Sequence, residues 1–250
     1  MPNLRFAAPK ERRVAIITGG AQGIGRASAL RLAEEGRDIV IADLDPNGDA
    51  VVAEVEALGQ RALFIKTDVT DESAVHAMVD QAKATLGRID ILICCAGILG
   101  IEADFLEQSS AQFDKVMRIN LYGIYYAHQA AIPHMLAQNW GRCVSIPSAA
   151  RFGAVDKVPY AVSKAAVYSF ILSLGNAYPK QDVFINGVEP GRALTNMVVP
   201  RFSAEFLANP GNPIGRYSDA EEVAEVIEFL TSERNTYTTG SIWSVKGSSG

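Results

Sequence analysis

The chain has 250 residues, a formal net charge of −5, 48% hydrophobic and 20% charged residues, the balance of a soluble globule long enough to bury one sizeable core. No Lys/Arg stripe interrupts the acidity, which argues against a nucleic-acid partner, and no run approaches the ~18 apolar residues of a membrane span. Three cysteines, Cys94, Cys95 and Cys143, make an odd count with two adjacent, which is not a disulfide framework and fits a reducing, cytoplasmic setting.

Residues 1–12 are polar and proline-containing and read as an N-terminal extension without the apolar core of a signal peptide. From residue 13 onward short β-branched runs alternate with longer amphipathic ones. Strands are expected at 14–18, 38–43, 62–66, 89–94, 142–146, 183–188 and 241–245, each nearly apolar throughout, as strands covered on both faces are. Helices are expected at roughly 23–35, 46–58, 71–86, 109–138, 159–178 and 219–231. The third opens with Asp71 and Glu72, acids placed where a helix N-terminus favours them. The fourth is expected to break or bend near Pro133. His76, His128 and His134 all fall in these helices with no metal-ligand spacing, so packing or surface roles are expected and no metal. Strict strand–helix alternation predicts one α/β domain over 13–250, a parallel sheet with right-handed crossovers and helices on both sides. Residues 195–217, rich in proline and glycine, break the rhythm after the sixth strand and read as a lid over a site.

The run Thr18-Gly19-Gly20-Ala21-Gln22-Gly23-Ile24-Gly25 directly follows the first strand and opens the first helix. Its glycines permit a tight turn and let backbone N–H groups approach a pyrophosphate, which the helix dipole then favours. Asp43 ends the second strand, where a carboxylate can accept both ribose hydroxyls of a dinucleotide and repel a 2′-phosphate. Neither Leu44 nor Gln22 offers that phosphate a cation, so NAD is favoured over NADP. Farther along, Tyr160 and Lys164 stand one helical turn apart on one face. An ammonium beside a phenol favours the phenolate and so makes a base. Ser148, twelve residues upstream, supplies a hydroxyl to hold a substrate oxygen. A dinucleotide loop, a base and a hydroxyl donor in this order point to hydride transfer at a carbon bearing oxygen.

These residues resemble the short-chain dehydrogenase/reductase family from Val14 to about Gly247. The matching motifs are Gly19…Gly23…Gly25, Asp68-Val69, Cys95-Ala96-Gly97, Asn120, Ser148, Tyr160…Lys164 and Pro190-Gly191. The resemblance implies a single Rossmann-type three-layer α/β/α sandwich with a seven-stranded parallel sheet. It implies that Tyr160 is the acid/base, that Lys164 binds the nicotinamide ribose and lowers the tyrosine pKa, that Ser148 positions the substrate oxygen, and that Asn120 holds a water in a proton relay. It further implies that Asp68 and Val69 flank the adenine, that Ala96-Gly97 passes under the cofactor, and that Ala193 and Thr195 contact the carboxamide. Cys94-Cys95 stands where the family usually has two asparagines, Pro147 where it usually has serine, and Val245-Lys246-Gly247-Ser248 where an acid–glycine–glycine turn is common.

Arg151, Glu189 and Arg192 fall where the resemblance places the substrate pocket. Unpaired charges there would suit a sugar, polyol or hydroxy acid; the other reading is that Glu189 and Arg192 pair with each other or face solvent. The apolar residues Met197, Val198, Val199, Phe202, Phe206 and Leu207 favour instead a 3-oxoacyl, steroid or diketone reductase. A nucleotide-binding regulator without turnover is the alternative from outside the enzymes. Apolar residues beyond one face of the helices at 109–138 and 159–178, with the resemblance, imply a homo-oligomer, a tetramer or dimer.

Overall fold

The computed structural model describes residues 12–194, 205 and 209–248. In chain order they form β1 (Val14–Thr18), α1 (Gly23–Glu34), β2 (Asp38–Asp43), α2 (Gly48–Ala57), β3 (Ala62–Lys66), α3 (Glu72–Leu86), β4 (Ile91–Cys94), α4 (Ser110–Met117), α5 (Gly123–Ala137), β5 (Gly141–Ser145), α6 (Val158–Leu174), β6 (Val183–Pro190), α7 (Ala220–Thr231) and β7 (Ile242–Val245). The strands make one sheet in the order β3-β2-β1-β4-β5-β6-β7, and every pairing is parallel. This is the expected Rossmann-type sandwich.

Alternation along the strands sorts side chains into two cores. Val14, Ile16, Val40, Leu92 and Ile185 pack with α3, α5 and α6 on one face. Ala15, Ile17, Ile39, Ile91 and Val188 pack with α1, α2 and α7 on the other. Truncating a fully buried member such as Ile16 to alanine should cost about 2–5 kcal/mol. The cysteines obey the same rule: Cys94 lies in the first core and Cys95 packs against the second, and all three thiols are free.

Helix ends follow local chemistry. Asp71 is the N-cap of α3 rather than its first residue, its side chain accepting from the Ala74 N–H. Ser109 and Gln112 form a capping box on α4. The expected break at Pro133 is corrected: α5 runs through Pro133 to Ala137. The long 109–138 helix is interrupted instead by a π-turn at Arg118–Tyr122. That wider turn directs Asn120 inward, where it is fully buried. The 159–178 helix ends earlier than expected, at Leu174, and a separate 3₁₀ turn at Pro179–Gln181 follows.

β1 lies between β2 and β4, so the chain leaves its carboxyl end in one direction and that of β4 in the other. A crevice opens at such a switch point, and the motifs converge there.

Candidate active site

A cleft of about 530 Å³ opens over the carboxyl ends of the strands. One end is lined by Gln22, Ile24, Asp43, Leu44, Asp68 and Val69, the middle by Gly19, Gly23, Gly25, Ala96 and Gly97, and the other end by Ser148, Tyr160, Lys164, Pro190, Gly191 and Ala193. Thr195 and the six apolar residues at 197–207 lie outside the described residues.

The glycine loop is shaped by close backbone packing. Gly19 has φ +68°, and a Cβ there would sit 2.5 Å from the Ala96 nitrogen; only glycine accepts both conditions. A Cβ on Gly25 would strike the Gly19 carbonyl. The loop is therefore pressed against the end of β4 and opens α1 without a side-chain cap, Gln22 making no such bond. First-turn N–H groups of this kind suit an anion. Asp43 buttresses this end: its carboxylate accepts from the Ala21 N–H at 3.0 Å and the Asp45 N–H at 3.0 Å. Leu44 beside it is 53% exposed. Asp68 accepts from the Thr70 N–H and hydroxyl at 2.9 and 2.8 Å, which fixes the turn after β3.

At the other end, α6 begins with Pro159 in its first turn, where the missing N–H costs nothing. Tyr160 and Lys164 project from it into the cleft, with the Lys164 nitrogen 5.6 Å from the Tyr160 ring centroid. That nitrogen is almost wholly buried and donates to the Ile146 carbonyl at 2.6 Å. Burial pulls the Lys164 ammonium down to about 8. Ser148 caps a 3₁₀ turn, Ala149–Phe152, accepting from the Ala150 N–H at 3.2 Å, and its hydroxyl stands near enough to the Tyr160 phenol to hold that phenol's pKa down. The expectation that Lys164 depresses the Tyr160 pKa is not what dominates here. Burial pushes the phenol up; the Ser148 hydroxyl and the charge of Lys157 act against it. The ammonium, turned towards the Ile146 carbonyl, is not among the groups that oppose that rise.

Asn120 does not line the cleft. Its amide clamps the segment under it: Oδ1 accepts from the Ile98 N–H at 2.8 Å, and Nδ2 donates to the Ile98 carbonyl at 2.9 Å and to Ser163 Oγ at 3.0 Å. A Cβ on Gly97 would lie 3.3 Å from Asn120 Oδ1 and 3.8 Å from Lys164 Nζ, so both side chains meet beneath that glycine. The Cys94-Cys95 end of β4 keeps its order through backbone bonds, Cys95 N–H to the Thr18 carbonyl at 3.0 Å.

The three charged residues assigned to substrate stand off the cleft wall. Glu189 is 0% exposed. It pairs with Arg151 and, at 3.1 Å, with Lys246, not with Arg192, whose guanidinium donates to the Pro210 carbonyl at 3.0 Å. The β6 register explains this: Glu189 lies two residues beyond Gly187 on the face that meets Pro147 and α6, whereas Arg192 lies past the strand end. Sequence reasoning also missed Ile146, Ile98, Ser163 and Lys157. Ser163 lay in plain view between Tyr160 and Lys164; the other three carry no chemical signature of their own, since two act through backbone carbonyls or N–H groups and Lys157 through proximity alone.

A model of the family described as short chain dehydrogenase matches residues 13–205. The cis-4-hydroxycyclohexanecarboxylate dehydrogenase of Sinomonas cyclohexanicum is 37% identical over 238 residues, covering 94% of this chain and 95% of that protein. The 2-dehydro-3-deoxy-L-rhamnonate dehydrogenase (NAD(+)) of Sphingomonas sp. (strain SKA58) is 35% identical over 248 residues, 97% of each. Among solved structures, levodione reductase superposes with a TM-score of 0.89 at 32% identity, covering 94% of this chain and 96% of that one.

Proposed function

The chain belongs to the short-chain dehydrogenase/reductase family and is an NAD(P)-dependent oxidoreductase of CH–OH groups, and on that premise we propose that Tyr160, Ser148, Lys164 and Asn120 form its catalytic set. The observation that carries this is the meeting of the Ser148 hydroxyl, the Tyr160 phenol and the buried Lys164 ammonium at one end of a glycine-lined cleft. The cleft suits a dinucleotide: a loop that tolerates no Cβ, a carboxylate at the ribose end, and a cation at the far end. When bound, the nicotinamide would accept or donate hydride. Ser148 holds the substrate oxygen, and Tyr160 exchanges its proton. Lys164 stands where it can hold the ribose next to Tyr160. Asn120 keeps the Ile98 segment and Ser163 in register beneath it; a water held there would complete the relay. Gln22, Gly23, Ile24 and Gly25 would cradle the pyrophosphate, Asp68 and Val69 the adenine, and Gly97, Pro190, Gly191, Ala193 and Thr195 the nicotinamide end.

NAD is the preferred cofactor. Among the described residues at the ribose end of the cleft, Asp43 and Asp68 are the charged ones and no lysine or arginine is present. A 2′-phosphate would meet only carboxylates.

The substrate is a secondary hydroxy acid carried on a ring or a sugar-derived chain. With Glu189 neutralised by Arg151 and Lys246, the case for a polar substrate no longer rests on free charges in the pocket. It rests on relatives such as the two named above, both named for hydroxy or oxo acids. Exposed Ile101, Phe152 and Val155 offer apolar surface for a ring; their loops are tied by Lys157–Glu102 at 3.0 Å and by the Ala103 N–H on the Asp156 carbonyl. Of the segment expected as a lid, 195–204 and 206–208 lie outside the described residues. Half-exposed Tyr122 and Tyr125 on the π-turn and α5, with Val162 and Leu172 on α6, support a homo-oligomer, and the three free thiols support a cytoplasmic setting.

Absorbance of NADH with a panel of ring and sugar-derived hydroxy acids tests the reading. Because burial raises the Tyr160 pKa, oxidation, which needs the phenolate, should accelerate as pH rises, while ketone reduction, which needs the phenol, should hold at neutral pH and fall on the alkaline side. Tyr160→Phe should abolish both; retained turnover refutes the assignment.

A further inference from the structure

The charge cluster behind the substrate end joins three separate pieces of chain. Glu189 ends β6, Lys246 follows β7, and Arg151 rides on the 3₁₀ turn that Ser148 caps. One fully buried carboxylate thus serves two cations from different elements, and Ser244 Oγ donates to it at 3.3 Å. The Arg151 guanidinium also meets two rings: its carbon lies 4.2 Å from the Phe152 ring centroid and 4.5 Å from that of Tyr168. Strand β6 meets the same turn from below, since a Cβ on Gly187 would lie 3.3 Å from Pro147 Cδ. The Arg151 N–H donates to the Ser148 carbonyl at 3.0 Å, so the arginine and the serine share one short rigid turn.

We propose that Glu189 is a positioning residue, which fixes the Ser148 hydroxyl towards Tyr160 by locking Arg151, and with it the whole turn, to the ends of β6 and β7. This deepens the functional reading above and rests on its role for Ser148. The physical case is one of constraint. The turn is short, and of its residues only the Ser148 cap lines the cleft, so what holds its far end sets its tilt. A planar guanidinium gripped by a carboxylate and two rings sets it. Without the carboxylate, Arg151 and Lys246 would face each other as half-buried like charges with nothing between them, and the turn would rotate away.

The test is a double-mutant cycle on the full chain, using NADH-linked turnover of the best secondary alcohol and NADH binding by fluorescence. Glu189→Gln should lower kcat by about 100-fold, the scale of an ångström's misplacement, with NADH affinity unchanged. In a Ser148→Ala background the same change should cost no more than about twofold, because the group being aimed is already gone. Arg151→Met, made on a partly exposed turn, repeats the cycle independently of how Glu189→Gln folds, and Arg151→Lys, which keeps the charge but not the fork, should recover only part of the loss. Losses that multiply in the Ser148→Ala background, or NADH affinity that falls in step with kcat, overturn the clamp while leaving the catalytic reading intact. A wild-type protein that turns over no alcohol overturns both.

Discussion

His128 should make this protein acid-sensitive by an amount the structure sets. It lies on α5, 1% exposed, with Nδ1 2.8 Å from the Ile124 carbonyl and its ring edge-on to Phe170 at 5.2 Å. Nδ1 therefore carries the proton, and Nε2 meets no donor or acceptor among the described residues. A second proton would place an unpaired cation in the apolar core. Burial accordingly pulls the imidazole down from 6.5 to about 4, with the Ile124 bond opposing weakly. Between those two values the unfolded chain binds a proton that the native state refuses, so stability falls as pH falls. The stabilisation is complete above about pH 6.5 and is lost by about pH 4, and the gap is worth about 3 kcal/mol. Urea denaturation at fixed protein concentration, from pH 7 to pH 4, reads this directly. His128→Leu should remove about one proton's slope from the pH dependence, whatever it does to absolute stability. An unchanged slope in that variant would show that the imidazole is charged in the native core, or free to reach water, and would refute the burial argument.

Replacing Asp43 by serine should shift cofactor choice towards NADP by about 100-fold or more in the ratio of kcat/KM values, since a charge pair at ~4 Å in a site of effective dielectric 20 is worth about 4 kcal/mol; an unmoved ratio places the discriminating group elsewhere. Gly19→Ala combines a left-handed backbone with a Cβ 2.5 Å from the Ala96 nitrogen; the backbone alone costs about 1–2 kcal/mol, so NADH titration should show affinity weakened by at least about tenfold. Asp90, fully buried, takes bonds from the Val14 N–H, Arg13 and Arg88 at the amino end of the sheet. Asp90→Ala strands those cations, and thermal unfolding should register a loss of about 3–5 kcal/mol while the Michaelis constants of the surviving enzyme stay put.

The chain's local chemistry determined the architecture. Short, nearly continuous apolar runs and amphipathic stretches alternate so regularly that the strands at 14–18, 38–43 and 62–66 end where the structure ends them. The glycine loop, Asp43, Ser148, Tyr160 and Lys164 stood out in the sequence because each proposed role demands a particular residue type at a particular place along a strand or helix, and the structure brings them to one cleft. Tertiary packing decided what depends on neighbours distant in sequence. The break in the long helix moved from Pro133 to the π-turn at Arg118–Tyr122, where an inward amide found the Ile98 backbone. Lys164 found the Ile146 carbonyl, and the Tyr160 proton is governed by depth more than by that ammonium. Glu189, an apparent substrate ligand from its place beside Pro190-Gly191, became the hub of Arg151 and Lys246. A charge or a proton answers to whatever surrounds it in three dimensions, and a strand or a turn answers mainly to its own few residues; that difference in range divides what the sequence determined from what folding decided.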